Sequence, residues 1–225
     1  QYMRFYRDNG QILSSGSPFE ISTPYLTAEL FDIKFAQSAD VMYITHPNHA
    51  TRKLSRTGHT SWTLTEVDFT NGPYLDTNTS TTTITASAHT VGTGRTFTAS
   101  ANTFASTDVG RLIRFRDGHA KVTGFTDATV VTVEILVDTG SSSASTDWNL
   151  GAFSDTTGHP SCVSFFEQRL VFAATLSQPQ AVFFSKSGDY ENMDANIGGT
   201  VADDDAIIYT IASNQVNAIR FMAAG

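Results

Sequence analysis

One residue pattern occurs twice in this chain at a constant spacing of 130 positions (171 − 41 and 188 − 58). The first copy runs from Val41-Met42-Tyr43 to Ser55-Arg56-Thr57-Gly58, and the second from Val171-Phe172-Ala173 to Ser185-Lys186-Ser187-Gly188. Each copy has two β-rich runs around a turn that contains a proline, then serine, a basic residue, a small residue and glycine. Such a unit cannot bury its faces alone, so the repetition predicts β units stacked in a larger repetitive structure.

The composition favours an all-β protein. The chain of 225 residues contains 16 Phe and 7 Tyr, most of them inside β-like runs, together with abundant Thr and Ser. No stretch keeps an apolar period of 3.6 residues, which is the signature of an amphipathic helix. The length is sufficient for a substantial core in one or two domains.

The repeat is interrupted by a segment of different composition. From 76 to 147 Thr and Ser dominate, and short predicted strands at 96–99, 112–115 and 130–137 are separated by glycine turns. We therefore predict a main body formed by residues 1–75 and 148–225, with 76–147 as an inserted small β domain. Inserts of this kind lie at loops on one face of a repeat array.

Three further local predictions follow from the pattern. The segment Asp8-Asn9-Gly10 predicts a hairpin turn near the start, because these residues tolerate positive φ. Thr23-Pro24 fits the entrance of a short helix. The β-like runs 207–211 and 216–221 are interpreted as the opening strands of a third unit. Both ends of the sequence have the character of an internal piece of a longer polypeptide, beginning at Gln1 and stopping just after a β-like run.

The apolar residues of the repeated units are the predicted structural core: Val41, Tyr43, Trp62, Val171, Phe172 and Phe184. Asp203, Asp204 and Asp205 form an acidic run before a β-like segment. A solvated loop is the favoured interpretation of this run, with an interface to basic side chains of a neighbouring protein as the alternative. It lacks the spaced ligands and distal glutamate of a calcium loop.

Charge and cysteine content exclude several classes of protein. The formal net charge of −8 disfavours tight binding to nucleic acid, which normally needs a basic footprint. The single cysteine excludes an internal disulfide and a cysteine-rich zinc site. There is neither a signal-peptide pattern nor an apolar run near 18 residues, so membrane spanning is not predicted.

Candidate chemical groups each have a plainer interpretation. His46 and His49 have the spacing of a metal clip, but no Cys, Asp or Glu lies near them in the sequence, and a solvated turn is favoured. Cys162, although close to His159, is interpreted as a structural thiol, because an activated cysteine needs a base within reach. We therefore predict no catalytic, cofactor-binding or metal-binding residues, and no enzyme.

Several consecutive strings resemble the tail tubular or nozzle (stabilisation) proteins of short-tailed bacteriophages and prophages. They are Met3-Arg4-Phe5-Tyr6-Arg7-Asp8-Asn9-Gly10, Gln37-Ser38-Ala39-Asp40-Val41-Met42-Tyr43-Ile44-Thr45-His46-Pro47, Lys53-Leu54-Ser55-Arg56, Trp62-Thr63-Leu64, Phe165-Phe166-Glu167-Gln168-Arg169-Leu170-Val171-Phe172 and Phe184-Ser185-Lys186-Ser187-Gly188-Asp189-Tyr190. The resemblance covers 1–75 and 148–222. The insert is similar in fold to the first catalytic-cysteine half-domain of ubiquitin-activating enzymes, but it contains no cysteine.

The resemblance implies a β-propeller-like body with a small β-barrel-like insert. It also implies assembly into a homo-oligomeric ring, commonly a hexamer, below the portal and its adaptor in the virion tail, after production in the host cytoplasm. The ring would conduct double-stranded genome DNA and anchor fibres or spikes. The acidic charge fits this role, since a wall that gripped phosphates would impede a moving duplex.

Two other functions stay open at this point. A carbohydrate-binding or carbohydrate-cleaving tail adhesion module would use exposed aromatic rings and carboxylates. The candidates for it are Trp62, Trp148, Tyr74 and Tyr190, with Asp68 or Asp76. It requires an open cleft with two carboxyl groups roughly 5–10 Å apart. A third interpretation is an adhesion module whose Thr-rich insert binds a host surface.

Overall fold

The computed structural model describes residues 1–212, 215 and 217–223, and the protein is all-β. Within these residues the only helical elements are two single 3-10 turns, Thr27–Glu29 and Ser106–Asp108. The strands form three larger antiparallel sheets and three small ribbons. The all-β fold class predicted from the sequence is therefore confirmed, and the predicted helix near Pro24 is reduced to one turn of 3-10 helix.

The N-terminal segment folds into three two-stranded ribbons. They pair β1 (Tyr2–Arg4) with β6 (Glu20–Ser22), β2 (Tyr6–Arg7) with β3 (Gly10–Gln11), and β4 (Leu13–Ser14) with β5 (Ser17–Pro18). The predicted hairpin is confirmed. Its central residues, Asp8 and Asn9, both have positive φ (51° and 61°), as a tight two-residue hairpin turn requires.

The first repeat copy forms a four-stranded meander, named sheet 1. Its strands are β7 (Lys34–Ser38), β8 (Val41–His46), β9 (His49–Gly58) and β10 (Ser61–Glu66), paired in chain order. One face of sheet 1 packs on the N-terminal ribbons, where Ile44 and Leu54 meet Phe5 and Tyr25. This face of sheet 1 is therefore covered by the N-terminal ribbons.

The interrupting segment forms a separate six-stranded sheet that curls into a half-barrel, named the insert sheet. Its strands are β11 (Ile84–Ala86), β12 (Gly92–Ala99), β13 (Leu112–Phe115), β14 (Gly118–Asp127), β15 (Val130–Val137) and β16 (Trp148–Leu150). It has its own buried core around Phe97, Phe115 and Ile113. Because β16 pairs with β13, the insert sheet extends three residues past the predicted boundary at 147.

The two chain segments that enter and leave the insert run side by side. Tyr74 and Gly151 form an isolated antiparallel bridge, and the Leu75 N–H donates to the Leu150 carbonyl (2.8 Å). A domain inserted into a loop needs adjacent ends of this kind.

The second repeat copy forms another four-stranded meander, named sheet 2. Its strands are β17 (Cys162–Phe166), β18 (Arg169–Ala173), β19 (Ala181–Phe184) and β20 (Ile207–Thr210), again paired in chain order. The assignment of 207–211 to a third unit was wrong, because β20 pairs with β19 and completes sheet 2. Val216 lies outside the described residues, and 217–221 form no strand.

The structural equivalence of the two sheets differs slightly from the sequence repeat. The first hairpin of each sheet closes at Ser38–Val41 and at Phe166–Arg169, which are 128 positions apart (166 − 38 and 169 − 41) rather than 130. A shift of two residues along a strand keeps every side chain on the same face, because strand side chains alternate. The sequence repeat therefore predicted correctly on which face of the sheet each side chain lies, but its register is displaced by two residues.

The predicted core residues are distributed over different faces and depths. Tyr43, Val171 and Phe172 are buried. Val41, Trp62 and Phe184 are half-buried instead. Trp62 packs with the N-terminal ribbons, stacked on Phe5 at 4.2 Å between ring centroids. Among the described residues, no helix is both long and apolar enough to cross a membrane.

Candidate functional site

Sheets 1 and 2 stack face to face through a shared apolar core. A row across sheet 2, Val163–Phe172–Phe183–Ile208, is aligned by strand pairing and faces sheet 1. Sheet 1 contributes Tyr43 to the same cluster, and the Tyr43 ring meets Phe165 edge-on at 6.1 Å. Aromatic and β-branched side chains on facing sheets bury the most area at such a contact.

The opposite face of sheet 2 is apolar and partly open, although Cys162, Val171 and Ala173 on it are buried. Its rows are Ser164–Val171–Phe184–Ile207 and Cys162–Ala173–Val182–Tyr209. Ile207 is 47% exposed, Tyr209 58% and the neighbouring Phe166 42%. A groove of about 390 Å³ lies between residues 221–223 of the same chain and this face, and another of about 520 Å³ lies beside Ile207 and Tyr209 on the same face. We name it the outer face of sheet 2.

The outer face corresponds to the side of sheet 1 that already packs on a sheet. With the equivalence of 128 positions, Val171 corresponds to Tyr43, and Phe172 corresponds to Ile44. Tyr43 faces forward onto sheet 2, whereas Ile44 faces back onto the N-terminal ribbons. Val171 and its row therefore occupy the position from which sheet 1 binds the next sheet in the stack.

Glu191 forms polar contacts with sheet 1 beside the core that sheets 1 and 2 share. The Tyr43 hydroxyl donates to Glu191 Oε1 at 2.8 Å, and Lys53 Nζ donates to the same oxygen at 2.6 Å. Tyr43 and Lys53 are a cross-strand pair in sheet 1, while Glu191 lies in the connection between β19 and β20 of sheet 2. Burial, and then Glu191, raise the pKa of Tyr43 above its ordinary value.

The acidic run before β20 divides into different environments. Asp205 is buried, and its carboxylate binds Lys186 Nζ (2.7 Å) and caps the Ala202 N–H (2.8 Å). The Lys186 pair, followed by the Ala202 N–H, lowers the pKa of Asp205. The favoured interpretation of a solvated loop is therefore wrong for Asp205, which is buried and paired inside the chain, and the alternative of an interface stays a prediction for Asp203 and Asp204. Asp203 and Asp204 are exposed.

The same loop is held by a buried arginine. Arg169 donates to the carbonyl oxygens of Ser185 (2.7 Å), Asp205 (2.6 Å) and Asp203 (2.7 Å). Five N–H donors in a fixed planar fork suit such a convergence of carbonyls. Arg169 therefore fixes the loop 203–205 against the start of β18.

The insert is anchored to the body by a buried ion pair. Asp108 and Arg111 lie 2.8 Å apart, with 2% and 3% of their side chains exposed. Arg111 Nε donates to the Gly151 carbonyl (2.8 Å), and the Thr156 hydroxyl donates to Asp108 (2.6 Å). Burial lowers the pKa of Arg111, an effect that the neighbouring Asp108 opposes.

The aromatic side chains that suggested sugar binding are engaged in packing. Trp148 is 8% exposed, and its Nε1 donates to the Thr82 carbonyl (3.0 Å). The Trp62 ring is stacked on Phe5 and its Nε1 donates to the His59 carbonyl (3.0 Å). Tyr74 is buried, and Tyr190 packs against Phe165. These four rings form no open stacking platform.

The carboxylates and the thiol considered from the sequence are held in structural contacts or lie exposed to solvent. Asp68 binds Lys121 of the insert at 2.7 Å, and Asp76 is exposed. Cys162 is buried with its Sγ 3.7 Å from the Ile219 carbonyl, and burial raises the pKa of this thiol. His159 Nε2 lies 2.8 Å from Asp155. His159, the base considered from the sequence, therefore pairs with Asp155 and does not activate the Cys162 thiol.

The turn between β8 and β9 holds a cluster that the sequence analysis placed in solvent. His46 is 1% exposed, and its ring centroid lies 5.0 Å from that of His49. Glu29 Oε2 lies 2.8 Å from His49 Nε2 and accepts from the Leu26 N–H at 2.8 Å. One ligand atom from each of Glu29, His46 and His49 lies within 4.8 Å of the others.

Burial acts on the pKa of His46, and hydrogen bonds act on the pKa of Glu29. Desolvation is the largest effect on His46 and lowers its pKa, which favours the neutral imidazole. The Leu26 N–H and then His49 lower the pKa of Glu29, which favours the carboxylate. The expectation that no acidic group accompanies the two histidines is corrected by Glu29.

The most informative residues were missed because their partners are remote in the sequence. Glu191, Arg169 and Glu29 bind groups 148, 16 and 20 positions away, and a single sequence gives no sign of these contacts. Arg111 pairs with Asp108 three positions away, but its contact with the Gly151 carbonyl spans 40 positions. The one available signal was the His46-Pro47-Asn48-His49 spacing, since a two-residue turn places both imidazoles on one face of a hairpin.

Comparison of the chain with protein-family models and with curated proteins finds no match to either.

Proposed function

We propose that this chain is an architectural component of a phage tail, in which propeller-type sheets pack into a ring that conducts genome DNA. The observation that carries the proposal is the equivalence of the outer face of sheet 2 with the face of sheet 1 that binds sheet 2. Repeated sheets with equivalent faces stack in one direction, as the blades of a propeller do.

The occupant of the outer face is, in this proposal, a propeller-type sheet supplied by a neighbouring copy of the chain in the ring. Apolar side chains such as Phe166, Ile207 and Tyr209 supply its contact area. Contiguous apolar surface of this kind marks protein interaction sites. The homo-oligomeric ring and its place on the virion tail rest on the resemblance of the repeat strings to nozzle proteins.

The charge of the chain supports conduction of DNA rather than storage. A chain with a net charge of −8 displaces few counterions from a duplex, so it binds the duplex weakly. DNA then passes a wall that repels it, while portal-adaptor and fibre or spike proteins bind the ring from outside. The half-barrel insert, tied to the body at Arg111 and Lys121, adds a rigid projection for such contacts.

The test is a cryo-EM reconstruction of the parent virion, with the chain located by fitting both sheets and the insert. The expected result is a closed ring on the tail axis, around a channel wide enough for a duplex, with density packed on the outer face of sheet 2. A peripheral projection whose outer face contacts solvent would overturn the proposal.

A further inference from the structure

We propose that Glu29, His46 and His49 form a binding site for a divalent zinc-like cation, which clips the 3-10 turn at 27–29 to the β8–β9 hairpin. The three side chains come from two separate elements. One ligand atom from each lies within 4.8 Å of the others. This site is independent of the proposed role in a phage tail.

The backbone already positions the ligands. His46 and His49 are a cross-strand pair that flanks the two-residue turn Pro47-Asn48, so their imidazoles lie on the same face. Glu29 is held by the Leu26 N–H, which fixes the carboxylate at the end of the 3-10 turn. Tyr25 packs edge-on against His49 at 5.3 Å, which restricts the imidazole further.

An unsatisfied atom points to a missing partner. His46 is 1% exposed, yet its Nε2 has no hydrogen-bond partner among the described residues. A buried polar nitrogen without a partner is destabilising and calls for one. A cation bound there supplies a partner for Nε2.

The donor set selects the class of cation. Two imidazole nitrogens and one carboxylate suit zinc and neighbouring transition metals, whereas calcium and magnesium prefer oxygen ligands alone. Zinc with three protein ligands keeps one further position for water. A cleft of about 350 Å³ reaches His49, whose side chain is 22% exposed, and gives the ion a path of entry.

The 2.8 Å contact between Glu29 and His49 changes when the ion binds. Each histidine offers the Nε2 lone pair and carries its proton at Nδ1, so both imidazoles stay neutral. His46 Nδ1 accepts from the Asn48 N–H at 3.1 Å, and binding through Nε2 gives up that bond. Two tetrahedral ligands of zinc lie roughly 3.3 Å apart, which the Glu29–His49 pair reaches by a small separation.

The experiment uses the full chain freed of metal by a chelator and titrated with Zn²⁺, with calorimetry for stoichiometry and thermal unfolding for stabilisation. We expect one ion per chain and a Tm that rises with Zn²⁺ concentration. Co²⁺ in place of Zn²⁺ should give visible absorption bands of the strength that four-coordinate sites show.

Two variants remove a ligand and keep most of the local structure. Glu29→Gln retains an oxygen that accepts from the Leu26 N–H, and His49→Gln changes a half-exposed side chain. Each should weaken Zn²⁺ binding more than about tenfold, since even residues that only support ligands typically cost ten- to a hundredfold. The matched control is His89→Gln, which alters the histidine–carboxylate pair of His89 and Asp138 in the insert (3.1 Å).

The control should bind Zn²⁺ like the original chain. Absence of stoichiometric binding by the original chain would overturn the proposal. So would Zn²⁺ affinity that stays unchanged in both Glu29→Gln and His49→Gln. A loss confined to His89→Gln would assign the ion to the insert and would also overturn it.

Discussion

The Tyr43 hydroxyl donates a hydrogen bond of 2.8 Å to the Glu191 carboxylate, across 148 residues of sequence. Lys53 binds the same oxygen, so one carboxylate joins two side chains of sheet 1 to the connection between β19 and β20 of sheet 2. The contact lies beside the apolar core shared by the two sheets. It therefore fixes how the sheets are placed against each other as well as how tightly they pack.

Replacing Tyr43 by Phe should lower the free energy of unfolding by about 1.5–3 kcal/mol, the usual contribution of a hydrogen bond to a charged group. The ring and its packing on Phe165 are retained, so the loss reports the hydroxyl alone. Urea unfolding measures it. The control is Tyr209→Phe on the exposed part of β20, which should stay within about 0.5 kcal/mol of the original chain. Equal effects of the two changes would contradict a role for Glu191.

Stability should fall as the pH rises above 10. Burial raises the pKa of Tyr25 to about 12, and burial also raises the pKa values of Tyr43 and Tyr74. Since the unfolded chain releases these protons near pH 10, the stabilisation is fully present below pH 10 and is lost as the pH rises through the folded pKa. For Tyr25 the loss between pH 10 and 12 is about 2 kcal/mol.

The measurement is urea unfolding at a series of pH values, with ultraviolet absorbance to follow phenolate formation. Tyr25→Phe provides the matched variant, because the Tyr25 hydroxyl is buried and has no hydrogen-bond partner in the described part of the chain. It should reduce the slope between pH 10 and 12 without lowering stability at neutral pH. An unchanged slope in Tyr25→Phe would contradict the assignment.

Arg111→Gln should destabilise the protein by about 3–5 kcal/mol, because it leaves the Asp108 carboxylate buried without its partner. Adding Asp108→Asn should recover part of this loss, since the uncompensated charge is then removed. The control is Lys121→Gln, which breaks another pair between insert and body, Lys121–Asp68. There the aspartate is 80% exposed, and the loss should stay below about 1 kcal/mol. Urea unfolding compares the three variants, and equal losses would contradict the importance of burial.

Trp62→Ala should cost about 2–3 kcal/mol, which is less than the 3–5 kcal/mol typical of a fully buried tryptophan. The reason is that Trp62 is half-buried and packs mainly on Phe5, with the rings inclined by 22°. A double-mutant cycle with Phe5→Ala should give a coupling of about 0.5–1.5 kcal/mol. Additive losses from the two substitutions would show that the stacked contact contributes nothing specific.

Local patterns predicted the local structure well. Asp8 and Asn9 adopt the positive φ that their turn requires, and three strands predicted in the insert are present as β12, β13 and β15. These features depend on alternation and turn chemistry, which neighbouring residues specify. The face of each repeated strand was also predictable, because a register displaced by two positions leaves the alternation intact.

Contacts between remote segments were not predictable in the same way. Ile207 belongs to sheet 2 because β20 pairs with β19. Between β19 and Ile207 lie 22 residues (207 − 185). Glu29 and His49 are 20 positions apart in the sequence, and their contact depends on how the 3-10 turn packs beside the β8–β9 hairpin. A charged residue in a polar stretch has the same sequence signature whether it is solvated or paired, so the candidate cation site was interpreted as a solvated turn.

Ile207→Asp should prevent self-association through the outer face of sheet 2. Ile207 is 47% exposed in an apolar row, and a carboxylate there would have to be desolvated in any stacked contact. We expect the original chain to form larger species as its concentration rises, measured by size-exclusion chromatography with light scattering, and the variant to stay monomeric. Val137→Asp in the insert, 44% exposed, is the matched control and should associate like the original chain. Association that persists in Ile207→Asp, or that is lost equally in Val137→Asp, would remove the outer face from the proposed ring contact.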